Sequence, residues 1–361
     1  MRPDWAKRHE VLGRFMLGFD GTTMPDDLAE MLAHGLAGVA IYPRNFRSLD
    51  ELQALTSAIR QAASQPILIG IDQEGGTKFS LGAPFTAWPS PAELGRLGDA
   101  SLVERVARAI ARELRAAGVN LDFAPMLDLA TNPTSPVTQR RSFGSDPHEV
   151  ARLGTTFARG LATEGILACA KHFPGPGDAA VDPHLDLPRF DGSRERLAQQ
   201  ELVPFAAAIN AGIPLVMTAH ILLPRLDADR PASISPILLR ELLRRDLGFD
   251  GIILADDLGM GAVAKRYGPG ESAVKALQAG TDIVMLCHDW SAVDPAIGAV
   301  GQAMKSGNFD PSQWSQTSAR ITQLRELLRN LDSIPPPVET IGCSDHHALT
   351  TQVRSRLARP I

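Results

Sequence analysis

The stretch Glu164-Gly165-Ile166-Leu167-Ala168-Cys169-Ala170-Lys171-His172 reads as a helix end, a glycine, an apolar run and two polar residues where the run stops. Glycine just past a helix supplies the left-handed residue that lets the chain turn. The run from 166 to 170 is too short for a helix. It is apolar on both alternating faces, as a parallel strand covered on both sides must be. The same order recurs at Ala116-Ala117-Gly118-Val119, Ala211-Gly212-Ile213 and Ala279-Gly280-Thr281. Working outward, eight short apolar runs fall at residues 15–19, 38–42, 67–71, 119–125, 166–170, 215–218, 251–255 and 282–287. Amphipathic helices are predicted between them at 49–63, 101–117, 147–164, 194–211, 236–247, 271–279 and 294–306. No Gly-x-Gly-x-x-Gly phosphate turn follows the first run, which argues against a doubly wound nucleotide-binding sheet. The predicted fold is therefore α/β, a single-domain (β/α)8 TIM barrel over residues 1–334. Pro335-Pro336-Pro337 cannot continue the preceding helix, so residues 335–361 form a Pro-led C-terminal extension, either a short helical appendage packed on the barrel or a mobile tail.

Composition narrows the function classes. With 361 residues, 44% apolar and 21% charged, the chain can bury a full core. A net charge of −5 without a basic block argues against nucleic acid as a partner. No apolar run is long enough for membrane insertion, and the first ten residues carry charge where a secretory leader would be apolar, so a cytoplasmic protein is expected. Cys169, Cys287 and Cys343 are too few and too far apart for a disulfide framework or a Cys-x-x-Cys metal site.

In such a barrel the chemistry sits where the strands end. Running off the predicted strands one meets Asp20, Arg44-Asn45, Asp72-Gln73-Glu74, Asp122 and Asp128, Lys171-His172, His220, Asp256-Asp257 and His288-Asp289. An isolated Asp after a strand is usually a cap or turn residue, but seven or eight polar clusters converging on one rim predict an active site. The loop Phe173-Pro174-Gly175-Pro176-Gly177-Asp178-Ala179-Ala180-Val181-Asp182-Pro183-His184 adds an Asp-x-His pair. That spacing lets the carboxylate hold one ring nitrogen and raise the basicity of the imidazole, so that the other nitrogen can trade a proton. The bland alternative is a surface histidine beside a turn-capping aspartate.

Five motifs then carry a family resemblance: Ile71-Asp72-Gln73-Glu74-Gly75-Gly76, Arg141-Ser142-Phe143-Gly144-Ser145-Asp146-Pro147, Lys171-His172-Phe173-Pro174-Gly175, Met217-Thr218-Ala219-His220, and Asp256-Asp257-Leu258-Gly259-Met260. Together they make the chain resemble the bacterial β-N-acetylglucosaminidases of glycoside hydrolase family 3. The resemblance implies a retaining exo-glycosidase without metal or organic cofactor, acting on a small carbohydrate such as a peptidoglycan fragment. It implies Asp256 as the nucleophile, His184 as the general acid/base and Asp182 as the residue that steadies it. It places Asp72, Arg141, Lys171 and His172 on the hydroxyls of the cleaved sugar. Asp257 is expected to cap the following helix and Glu74 to be a structural hydrogen-bonding residue. His220 either touches substrate or bridges strand ends.

The chain also departs from the family. Thr77-Lys78-Phe79-Ser80 stands where the family supplies arginines, Pro176 where it usually has histidine, and Pro183 where it usually has serine. Lysine cannot replace the bidentate clamp of an arginine in kind. Pro183 biases Asp182 toward extended backbone, which is compatible with the dyad. A β-glucosidase or a phosphorylase of the same family is the nearer alternative. From other classes, a non-catalytic carbohydrate-binding relative and a metal-dependent hydrolase are the alternatives; against the latter, no His-Glu-x-x-His motif is present.

Overall fold

The structure, a computed structural model, describes residues 4–77, 80–135, 137–179, 181–331 and 334–358. Every predicted apolar run becomes a barrel strand. In chain order these are β1 (Phe15–Leu17), β2 (Gly38–Ala40), β3 (Leu68–Ile71), β4 (Leu121–Asp122), β5 (Leu167–Phe173) and β6 (Leu215–Thr218), then a hairpin of β7 (Leu222–Leu223) and β8 (Asp227–Pro231), then β9 (Ile252–Asp257) and β10 (Ile283–Leu286). Apart from the hairpin, each strand pairs with its sequence neighbours. The ring closes where β1 pairs in parallel with both β2 and β10.

Alternation along each strand explains why both faces are apolar. Met16, Leu68, Leu121, Leu167, Cys169, Leu215, Leu254 and Met285 point into one buried cluster inside the barrel. Phe15, Leu17, Val39, Ile69, Ala168, Ala170 and Val216 belong to a second cluster under the helices. The helix Pro311–Leu331 adds Ile321, Leu324 and Leu328 to the inner cluster. Its contacts with Arg14, Gly35 and Asp282, all just before strands, place it across the N-terminal end of the ring. The strand ends opposite this helix carry the polar residues and hold the candidate site.

The predicted glycine caps hold: Gly165 and Gly280 have φ of 82° and 115°, backbone that favours glycine. One predicted helix is broken. The segment 194–211 forms Arg194–Gln199 and Leu202–Asn210, with Gln200 at φ −130° and ψ −83°. In a continuous helix Pro204 would remove a hydrogen bond and clash with the carbonyl of residue 200; restarting at Leu202 puts the proline in a first turn, where its missing N–H costs nothing.

In the C-terminal segment, the helix Ser344–Leu357 packs on the barrel rather than trailing as a mobile tail. Its anchor is Glu113, fully buried, which accepts hydrogen bonds from Thr86 N–H and Oγ1, Trp88 Nε1, Gly342 N–H and, at 2.8 Å, His346 Nδ1. Among the described residues, no helix is long and apolar enough to cross a membrane.

Candidate active site

The open end of the barrel holds a cavity of about 530 Å³, lined by strand ends and by the loop after β5. It collects every residue expected above to be catalytic or to contact the sugar: Asp72, Arg141, Lys171, His172, Asp182, His184, His220 and Asp256 all line it. Asp20, Gln73, Glu74, Asp122 and Asp289, read as rim residues, do not. Asp20 pairs with Arg44 in solvent, and Asp289 caps a short turn through Ser291 N–H.

Three charged side chains line the cavity on one side, Asp72, Arg141 and Lys171, and a fourth behind them, Glu74, ties them together. Lys171, at the end of β5 and almost fully buried, lies 2.6 Å from Asp72 Oδ1 and 2.6 Å from Glu74 Oε1. Arg141 grips Glu74 with both arms of its guanidinium, Nε to Oε2 at 2.8 Å and Nη2 to Oε1 at 2.7 Å. Burial pushes the Glu74 carboxyl up, but Arg141 and Lys171 outweigh it and hold the group at about 2. Burial likewise disfavours the Lys171 ammonium, and Asp72 and Glu74 more than compensate, so its pKa is raised. The cluster holds two cations and two anions, and Asp72 still meets the cavity. Glu74 is thus structural in a stronger sense than a rim hydrogen bond: it is the counter-ion that fixes Lys171 and Arg141.

Asp122, at the end of β4, looks like Asp72 in sequence but is completely buried. One oxygen accepts Gln73 N–H at 3.0 Å, while among the described residues Oδ2 has no partner. Burial pushes its carboxyl well above the ordinary carboxylate value. Asp128 is the more important residue of that segment. Its Oδ1 accepts His172 N–H at 2.8 Å and its Oδ2 meets His172 Nδ1 at 2.7 Å, so it sets the ring's position from two points.

Asp256 ends β9 differently. It accepts Asp257 N–H at Oδ1, 2.8 Å, and among the described residues Oδ2 has no hydrogen-bond partner. Burial raises its carboxyl, but the His172 and His220 rings, the Asp257 N–H and Lys171 outweigh burial and hold it below its usual value. Asp257 does not cap the next helix. It accepts Gly259 N–H and Cys287 N–H and meets His288 Nδ1 at 2.6 Å, tying β9 to the end of β10.

His220 performs the bridging role of its two readings: Nε2 donates to Asp257 O at 2.9 Å and Nδ1 meets Ser233 Oγ at 2.7 Å. Because a carbonyl can only accept, Nε2 carries a hydrogen. What remains for the cavity is its carbon edge.

The Asp-x-His pair forms as the spacing suggests. Asp182 Oδ1 accepts His184 N–H at 2.9 Å and meets His184 Nδ1 at 2.8 Å, with Pro183 between them no obstacle. The His184 side chain is 56% exposed, which leaves Nε2 open to a substrate. Ser80 lines the cavity, whereas Lys78 lies outside the described residues. Sequence reasoning gave no role to Tyr42, whose ring stands on the cavity wall 5.0 Å from that of His288. Its only signal was its place at the end of the second apolar run. Among the described residues, no group of three His, Cys, Asp or Glu is placed to hold a metal ion.

Residues 10–324 match the glycosyl hydrolase family 3 N terminal domain. The chain belongs to that family. Among family 3 relatives, a "Beta-hexosaminidase" of Nitrosospira multiformis is 35% identical over 83% of this chain and 90% of its own length. A "Beta-hexosaminidase A" of Pseudoalteromonas piscicida is 32% identical over 92% of this chain, which spans 60% of that relative's length. A glycoside hydrolase family 3 β-N-acetylglucosaminidase from Paenibacillus sp. str. FPU-7 superposes with a TM-score of 0.91 at 36% identity, covering 96% of this chain and 68% of that one. Family membership and these relatives support O-glycosyl hydrolase chemistry.

Proposed function

We propose that the protein is a retaining exo-β-N-acetylglucosaminidase that releases N-acetylglucosamine from the non-reducing end of short oligosaccharides by double displacement through a glycosyl-Asp256 intermediate. The observation that carries this reading is the pairing, in one cavity, of an ionised Asp256 with an open oxygen and an Asp182-oriented His184 with an open nitrogen. Asp72, Asp128 and Asp257 are each held by a cation or a histidine ring, and so are poorer nucleophiles.

Asp256 Oδ2 attacks the anomeric carbon as its bond to the leaving oxygen breaks. The electron pair passes to that oxygen, which takes the proton from His184 Nε2. The neutral ring then removes a proton from water. The water oxygen attacks the anomeric carbon, and Asp256 leaves as carboxylate, so two inversions restore the configuration. A neutral imidazole as the base avoids a second anion beside the departing carboxylate. Lys171 and His172 keep Asp256 ionised, while Asp72 and the neighbouring cations take the sugar hydroxyls. The relatives' hexosaminidase and β-N-acetylglucosaminidase names favour the 2-acetamido sugar over a glucoside. Peptidoglycan fragments as the natural substrate, and a cytoplasmic setting, belong to the same proposal.

The test compares nitrophenyl β-N-acetylglucosaminide with nitrophenyl β-glucoside on wild type, Asp256→Asn and His184→Ala. Preference for the acetylated sugar, near-complete loss in Asp256→Asn and a His184→Ala defect that shrinks with better leaving groups are expected. Undiminished turnover in Asp256→Asn would remove the mechanism, and faster glucoside cleavage would remove the substrate assignment.

A further inference from the structure

We propose that residues 260–266, which follow β9 directly, are the seat that holds the His184 loop in position, with Gly261, Lys265 and Arg266 as positioning residues. The proposal rests on the reading of Asp256 and His184 above, and it assigns a role to a segment outside the five motifs except for Met260.

Four consecutive loop residues are held by this one segment. Pro183 O accepts Ala262 N–H at 3.0 Å and His184 O accepts Gly261 N–H at 3.3 Å. Leu185 O accepts Lys265 Nζ at 2.7 Å, and Asp186 Oδ1 pairs with Arg266 Nη1 at 2.9 Å. Packing does not do this work, because the His184 side chain is 56% exposed and Leu185 is 69% exposed. The loop's position here depends on hydrogen bonds, and the donors come from the turn that carries the nucleophile's strand onward.

Gly261 makes the approach possible. A Cβ built there would lie 2.6 Å from His184 O and 2.9 Å from Leu185 O, closer than real contacts allow. Gly261 opens the short helix Gly261–Ala264, and its φ lies outside the left-handed region, so alanine suits its own backbone and improves helix propensity. The cost of a methyl group therefore falls on the loop. The turn leading into the seat is itself tied to β9 and β10: Asp257 O accepts Met260 N–H, Asp257 Oδ1 accepts Gly259 N–H, and Leu258 N–H donates to Met285 O on β10. Asp256 and Gly261 are five residues apart, so one short stretch sets the distance between attacking oxygen and proton donor.

The experiment uses Gly261→Ala and the surface double variant Lys265→Ala/Arg266→Ala, the second covering the case in which the first fails to fold. Amide hydrogen exchange of residues 181–189 reads the seat directly, without requiring turnover. Aryl β-N-acetylglucosaminides with good and poor leaving groups read the proton donor. Gly261→Ala is expected to speed exchange and to lower kcat/KM on the poor leaving group by about tenfold. The double variant is expected to lower it by about two- to fivefold, while good leaving groups change by less than about twofold in both. Unchanged exchange overturns the seat, and equal losses across leaving groups overturn its link to the proton donor. If wild type cleaves no aryl glycoside, the proposed function fails, and exchange alone decides whether the seat exists.

Discussion

Replacing Glu74 with glutamine removes one charge from a buried, balanced cluster while keeping its shape, and its effect follows from two independent arguments. Glu74 is fully buried and its carboxyl sits at about 2, against an ordinary 4.5. That gap corresponds to about 3 kcal/mol of stability at neutral pH. Removing one partner of a buried ion pair costs about 3–5 kcal/mol by analogy with measured cases, because the cations left behind lack compensation. For a chain of 361 residues the unfolding entropy is about 0.8 kcal/mol/K, so about 3 kcal/mol lowers Tm by about 4 °C. The folded pKa is depressed, so the contribution is complete above the ordinary carboxylate value and fades as pH falls from about 4.5 toward 2. Thermal unfolding of wild type and Glu74→Gln across pH 7 to 2.5 measures this, and it needs no substrate. The Tm gap is expected to be largest at pH 7 and less than about half as large by pH 3. A gap below about 1 °C at pH 7, or one that does not narrow in acid, would refute the charge argument.

Three further outcomes are expected. Asp128→Asn leaves the His172 ring without its carboxylate partner and is expected to lower kcat/KM on an aryl β-N-acetylglucosaminide by about 10- to 100-fold, by analogy with other buried orienting residues, with Tm shifts measured alongside. Asp182→Ala removes the group that orients His184; kcat/KM on aryl β-N-acetylglucosaminides with poor leaving groups is expected to fall by about 10-fold or more, with good leaving groups losing much less. Glu113→Ala leaves the Trp88 indole, Gly342 N–H and His346 without their acceptor, costs about 3 kcal/mol, and should expose the helix Ser344–Leu357 to limited proteolysis. Although burial opposes it, hydrogen bonds from His346, Thr86 and Gly342 hold the Glu113 carboxyl below its usual value, so in wild type the same release is expected only as pH falls below the ordinary carboxylate range.

What could be read from the residues alone was whatever local chemistry dictates. A strand covered on both faces must be apolar at every position, so eight short runs separated by amphipathic helices announced the ring and its open end. Glycines at 165 and 280 announced helix ends, because a left-handed residue is needed there. The pair at 182 and 184 was legible because two residues separated by one are neighbours in almost any loop. Tertiary structure alone decided which carboxylate does what. Asp72, Asp122 and Asp256 all sit at strand ends, yet one meets a lysine, one is wholly buried and one keeps an open oxygen, according to how each strand's pleat faces its neighbours. Closing the ring likewise brought Glu74 between Lys171 and Arg141, and the turn after β9 against the His184 loop. Those contacts join residues about 67 to 97 and 78 positions apart, beyond the reach of any periodicity, and they exist because barrel closure converts strand order into spatial adjacency.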